Sequence, residues 1–164
     1  MQTRVDAALN EINDLGRVAA AQLASPSAGS AASVAASAGR ESKSFLGAEA
    51  CKNCHSADYA LWVNSGHAHA MQTLVDKNAD FNPECIGCHV VGFKKKDGFA
   101  DNATTPALAN VQCEACHGPA GRHLENPAVP YGRAGKSACL PCHTRENSPS
   151  FDFNVYWPRI RHGA

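Results

Sequence analysis

The chain has 164 residues, which is the size of one ordinary domain. Fifteen basic residues balance fifteen acidic ones, and no basic patch is interleaved with aromatic residues. We therefore expect no nucleic-acid partner. No stretch approaches the length of a membrane span, so we expect no transmembrane segment in this chain.

The amino-terminal region divides into two predicted segments, residues 1–24 and residues 25–44. In the first, apolar residues recur at mostly three- and four-residue steps with charges between them, namely Val5, Leu9, Ile12, Val18 and Leu23. This spacing predicts an amphipathic helix, which packs on its own domain or binds a partner or a second copy. The second is rich in Ser, Ala and Gly, which predicts a flexible linker.

Residues 45–164 form the third predicted unit, and one short pattern occurs in it four times: two cysteines enclose two residues, and a histidine follows at once. All eight cysteines belong to this pattern: Cys51 and Cys54, Cys85 and Cys88, Cys113 and Cys116, Cys139 and Cys142. The histidines that follow them are His55, His89, His117 and His143. The C-x-x-C-H string is the attachment signature of a c-type haem, in which two thiols add to the vinyl groups and the histidine is the proximal iron ligand. We predict four haem c groups. Cysteine pairs also occur in zinc sites and disulfide scaffolds, but neither requires the histidine.

Four further histidines, one for each iron, are predicted as the distal ligands: His67, His69, His123 and His162. A haem iron with two nitrogen ligands is saturated and low-spin, and it passes electrons without binding a substrate. His123 is too close to His117 in the chain to reach the other face of the same haem, so we expect it to serve another iron. The two-residue spacing of His67 and His69 likewise predicts that they serve different irons.

The expected fold is mainly α with extensive irregular structure. Between residues 51 and 162 there are about 28 residues per haem, too few for a conventional core around each, so the porphyrins must form much of the interior. Residues 57–71 are predicted to be helical and interrupted near Gly66, and residues 92–110 are predicted to be a loop. Three successive lysines in that loop, 94–96, are either a solvated turn or a docking patch for an acidic redox partner.

Covalent haem attachment implies a compartment outside the cytoplasm, either periplasmic or extracellular. Residues 1–24 contain no uninterrupted apolar core of an export signal, so we expect that signal to have been removed or to be missing from this chain. The predicted partners are redox proteins.

Four segments resemble the cytochrome c-554 family of tetrahaem cytochromes over about residues 45–164. They are the first motif with the residues up to His67, the block NPECIGCHVVGF, the block NVQCEACHGPAGRH, and the closing run up to His162. The resemblance implies haems in stacked and near-perpendicular pairs. The founding member of the family accepts electrons from hydroxylamine oxidoreductase and keeps one haem five-coordinate. Similar domains in multihaem conduits and extracellular filaments have only bis-histidine haems.

We therefore expect extracytoplasmic electron transfer through four bis-histidine haems, without enzyme activity. One alternative is an enzyme with one open iron that acts on a small nitrogen compound, with Asp58, Glu114 or Glu125 as acid or base. Another is a subunit of a conductive cytochrome filament, in which a histidine is donated across the interface.

Overall fold

The computed structural model describes residues 44–163. The predicted amphipathic helix, and all of the predicted linker except Ser44, lie outside the described residues.

Short helices joined by turns make up the described part of the chain. Seven α-helices occur in it: α1 (Ser56–Val63), α2 (Ala70–Val75), α3 (Pro83–Ile86), α4 (Cys113–His117), α5 (Gly121–Glu125), α6 (Lys136–Cys139) and α7 (Phe153–Tyr156). Four 3₁₀ helices accompany them: Ala48–Ala50, Gly66–His69, Pro106–Leu108 and Trp157–Arg159. The single β contact in residues 44–163 is an isolated antiparallel bridge between Val90 and Ala109. The predicted fold class, mainly α with extensive irregular structure, is confirmed at this level.

The region predicted to be one interrupted helix, residues 57–71, is divided near Gly66 as expected. Helix α1 ends at Val63, a 3₁₀ helix follows over Gly66–His69, and α2 begins at Ala70. None of the helices in residues 44–163 has both the length and the apolar character that crossing a membrane requires.

The apolar core lies around the second cysteine motif. Its buried residues are Met71, Leu74, Ile86, Val90, Val91, Phe99 and Leu108. By contrast, α1, α6 and α7 bury none of their residues, and large apolar side chains such as Leu61, Leu140 and Val155 are exposed. These exposed apolar side chains are available to contact a further apolar surface, such as the porphyrins expected from the sequence.

A buried carboxylate joins the start of the described chain to the third motif. Glu114 is 2% exposed. Its Oε2 accepts hydrogen bonds from the backbone N–H groups of Leu46 and Gly47, both at 2.8 Å, and its Oε1 accepts one from Ala120 at 2.8 Å. Gly47 has φ +81°, and a Cβ there would lie 2.7 Å from the carbonyl oxygen of Ala107. The backbone conformation that lets Gly47 donate to Glu114 therefore requires glycine.

The residues just before Glu114 connect two further segments. The side-chain oxygen of Asn110 accepts from the Met71 N–H at 2.9 Å, and the Val111 carbonyl accepts from the Trp62 indole N–H at 2.8 Å. The Val111 N–H in turn donates to the His67 carbonyl at 3.1 Å. These bonds fix the segment that carries His67 and His69 against the third motif.

Candidate functional site

All four C-x-x-C-H motifs lie on short helical turns. The second to fourth overlap α3, α4 and α6, while the first follows the 3₁₀ helix Ala48–Ala50 and ends where α1 begins. The helical turn brings the histidine back over the first cysteine: the His55 N–H donates to the Cys51 carbonyl and the His143 N–H to the Cys139 carbonyl, both at 2.9 Å. None of the eight cysteines forms a disulfide with another. A site for a single metal ion needs a group of three or more Cys, His, Asp or Glu side chains. No such group occurs among the described residues.

Contacts between thiols show the order of the motifs in space. A hydrogen bond between Cys51 and Cys113, of the first and third motifs, raises the pKa of Cys51 and lowers that of Cys113. Burial and then the nearby Cys88 raise the pKa of Cys142 to about 12, which places the second motif beside the fourth. Burial and then Cys139 raise the pKa of Cys116, which links the third motif to the fourth. The first motif therefore lies beside the third, the third beside the fourth, and the fourth beside the second.

Two of the four predicted proximal histidines, His89 and His117, have their ring nitrogens arranged as in metal ligands. The Nδ1 atoms of His89 and His117 lie 2.6 Å from the Ala70 carbonyl and 2.5 Å from the Gly132 carbonyl. A carbonyl can only accept, so Nδ1 carries the proton and Nε2 is left with its lone pair. For the other two, the Nδ1 neighbours are the Ser148 hydroxyl, 3.1 Å from His143, and the Asp58 carboxylate, 3.5 Å from His55.

Two of the predicted distal histidines show the same arrangement. His123 Nδ1 lies 3.0 Å from the Val129 carbonyl, and His162 Nδ1 lies 2.8 Å from the Ile160 carbonyl. Both rings therefore also present an unprotonated Nε2.

Three of the predicted proximal histidines each lie near one predicted distal histidine. Ring centres are 6.2 Å apart for His55 and His123, 6.1 Å for His67 and His143, and 5.7 Å for His117 and His162. Two imidazoles on opposite sides of one metal ion, each with a metal–nitrogen distance of about 2 Å, have ring centres about 6 Å apart. The rings therefore fit a haem iron between the members of each pair.

Burial favours the neutral form of both histidines in one of these pairs. It lowers the pKa of His67, with the neighbouring His143 as a second cause, and it also lowers the pKa of His143. The neutral imidazole is the form that binds a metal.

The fourth pair is not brought together within residues 44–163. There, neither His69 nor His89 makes a ring contact with another histidine. His69 is the last residue of its 3₁₀ helix and is exposed, whereas Ala68 and Ala70 on either side of it are buried. The turn of this helix directs His67 inward and leaves His69 at the surface.

The three acidic residues named for the enzyme alternative lie in different environments. Both oxygens of Glu114 are occupied by backbone N–H groups, so this residue has a structural position. Asp58 lies beside His55, and Glu125 is exposed at the end of α5.

Aromatic residues outside the four motifs also contact the histidines. Tyr131 stacks on His117 and His123, and Phe151 stacks on His143. No local pattern marks these aromatic residues or the carbonyls that accept from Nδ1, because every residue has a carbonyl and the aromatic residues lie outside the motifs.

Comparison with known proteins identifies the segment that carries the first three motifs. The family model for cytochrome c554 and c-prime matches residues 50–118. This segment is similar to the cytochrome c-554 family. The predicted resemblance is thereby confirmed, and haem c is supported as the cofactor of this c-type, multihaem cytochrome segment.

Two curated relatives extend the comparison. The chain is 34% identical to cytochrome c-554 of Nitrosomonas europaea over 105 residues, which cover 55% of this chain and 44% of the relative. It is 32% identical to the multiheme cytochrome MtrA of Shewanella baltica over 92 residues, which cover 46% of this chain and 26% of that relative. The chain thus spans less than half the length of either protein. No solved structure matches.

Proposed function

We propose that this chain is a tetrahaem electron carrier that acts outside the cytoplasm. The observation that supports this most directly is the set of three histidine pairs with ring centres 5.7 to 6.2 Å apart, each pair containing the histidine of one attachment motif. Haem c as the cofactor of the family and the four complete motifs support a count of four.

In this proposal each motif holds one haem through its two cysteines and its histidine. The distal ligands are His123 for the first motif, His162 for the third and His67 for the fourth. When bound, a haem supplies an iron that changes its oxidation state by one electron. At these three haems two imidazoles would hold each iron, and the hydrogen bonds at Nδ1 hold the rings in place and increase their basicity as ligands.

The spatial order of the motifs supports a continuous route for electrons. The first and third motifs are adjacent, as are the third and fourth and the fourth and second. The first and second motifs are therefore the ends of the route. The exposed lysines 94–96 follow the second motif closely, which suits the docking of an acidic redox partner at that end.

Two measurements on the purified holoprotein test the proposal. Intact mass should equal the apoprotein plus four haems, with no free thiol. Electron paramagnetic resonance of the oxidised protein should show low-spin signals from at least the three paired haems. A mass with fewer haems, or high-spin signals from more than one haem, would contradict it.

The position of His69 favours a second candidate: an enzyme with one open iron at His89. His69 is exposed and makes no ring contact with His89 in the described residues, so the second-motif iron has no distal ligand within residues 44–163. An iron of this kind would bind a small molecule such as nitric oxide.

The variant His69→Ala distinguishes this candidate from full bis-histidine ligation, with His123→Ala as the matched control that opens a paired iron. If the unmodified protein binds carbon monoxide at one haem and His69→Ala changes nothing, the second-motif iron is open. If the unmodified monomer is fully low-spin and the variant opens one haem, His69 ligates within the chain. Low-spin character that depends on protein concentration would indicate donation of His69 to a second copy, as in a filament.

A further inference from the structure

One four-residue segment, Val129–Gly132, contacts histidines assigned to two different haems. The Val129 carbonyl accepts from His123 Nδ1 at 3.0 Å, and the Gly132 carbonyl accepts from His117 Nδ1 at 2.5 Å. His123 lies across from His55 of the first motif, while His117 is the histidine of the third. Movement of this segment would therefore change the position of a ligand at both irons.

Between the two carbonyls, the Tyr131 ring stacks on both imidazoles. Its centre is 5.5 Å from that of His117, with 20° between the planes, and 5.2 Å from that of His123, with 13° between the planes. Its hydroxyl donates a hydrogen bond to the Gly118 carbonyl, directly after His117. The ring is thus nearly parallel to both imidazoles and is anchored at its far end.

A hydrogen bond at Nδ1 restrains the plane of an imidazole only as firmly as the accepting carbonyl is itself held. A flat ring stacked on the imidazole restricts rotation of that plane further, because rotation would bring the imidazole edge into the aromatic face. The orientation of the axial imidazole planes determines how the iron d orbitals split, and with them the g values and the reduction potential. The stacked ring therefore acts on the orientation of the imidazole plane, which the iron–nitrogen bond does not determine.

We propose that Tyr131 is a positioning residue that fixes the planes of two axial imidazoles, His117 and His123, and thereby tunes the first- and third-motif haems together. This inference rests on the proposed tetrahaem function. It assigns to one aromatic ring a joint influence on two adjacent redox centres.

Phe151 provides a matched control within the same chain. It stacks on His143 alone among the histidines of residues 44–163, with ring centres 4.4 Å apart and 17° between the planes. Loss of this ring should therefore affect only the fourth-motif haem, whereas loss of the Tyr131 ring should affect two.

The experiment compares Tyr131→Leu, Tyr131→Phe and Phe151→Leu with the unmodified holoprotein, each first shown by mass to carry four haems. In Tyr131→Leu, two of the low-spin resonance signals should shift their largest g value, and two of four steps in a potentiometric titration should move. Tyr131→Phe keeps the stacked ring and should restore the unmodified signals. Phe151→Leu should shift one signal. Unchanged signals in Tyr131→Leu, or a shift in Tyr131→Phe as large as in Tyr131→Leu, would overturn the inference.

A second variant, Gly132→Ala, changes the backbone position of the same segment. A Cβ at Gly132 would lie 2.3 Å from the His117 carbonyl oxygen, so Gly132→Ala must displace the segment. The same two signals should shift in this variant, and a shift of only one would contradict joint positioning even if Tyr131→Leu does not retain its haems. If the unmodified protein lacks four haems or paired low-spin signals, the proposed function fails instead, so the two failures are distinguishable.

Discussion

Glu114→Gln should destabilise the protein by about 3 kcal/mol, although the two side chains have nearly the same shape. The carboxylate accepts three backbone hydrogen bonds in a site that is 2% exposed. The glutamine oxygen can still accept from Leu46 and Gly47, but its NH₂ group then faces the N–H of Ala120. At the lower end, one unsatisfied buried donor costs about 1 kcal/mol and two bonds that lose a charged acceptor weaken by about 1 kcal/mol each, which together give about 3 kcal/mol.

Urea unfolding of the holoprotein, followed by circular dichroism, measures this loss. With a slope of about 1 to 3 kcal/mol/M for a small protein, the unfolding midpoint should fall by about 1 to 3 M. Glu125→Gln is the control, because Glu125 is exposed and its substitution should change stability by less than about 0.5 kcal/mol. Equal midpoints for the two variants would refute the reasoning that the three backbone donors depend on the charge of Glu114.

The contacts of His162, Ser44 and Trp62 give three further predictions. His162→Ala should convert one haem from low-spin to high-spin and create a carbon monoxide site, because His162 faces His117; an unchanged spectrum would remove His162 from the ligands. Deletion of residues 1–43 should preserve haem content and weaken self-association measured by sedimentation, since Ser44, whose carbonyl accepts from Gly121, is retained; loss of haem would place the deleted segment in the core. Trp62→Phe should cost about 1 kcal/mol in urea unfolding through loss of its bond to Val111, whereas Tyr59→Phe, whose hydroxyl contacts Glu49 at the surface, should cost less.

The sequence by itself determined the attachment chemistry. Two thiols and one imidazole within five residues meet at one porphyrin through a single helical turn, so the signature is complete in the local chain. The same local logic predicted the break near Gly66. The similarity of residues 50–118 to the cytochrome c-554 family was likewise visible in the motif blocks.

The number of histidines did not by itself predict which distal histidine faces which motif. Four spare histidines for four irons predicted four pairs, but which histidine faces which motif depends on how distant segments return to one another. The exposed position of His69 comes from the turn of one 3₁₀ helix and from the bonds that hold that segment against Asn110 and Val111. The pairing of these histidines therefore required the tertiary structure.

Other features were decided by the tertiary structure alone. Glu114 was an acid–base candidate from its place in the third motif, yet the folded chain surrounds it with backbone donors. The carbonyls of Ala70, Val129 and Gly132 and the ring of Tyr131 act on histidines from segments outside their motifs. Covalent attachment depends on neighbours in sequence, whereas the orientation of an imidazole depends on neighbours in space, and for that reason only the folded chain shows it.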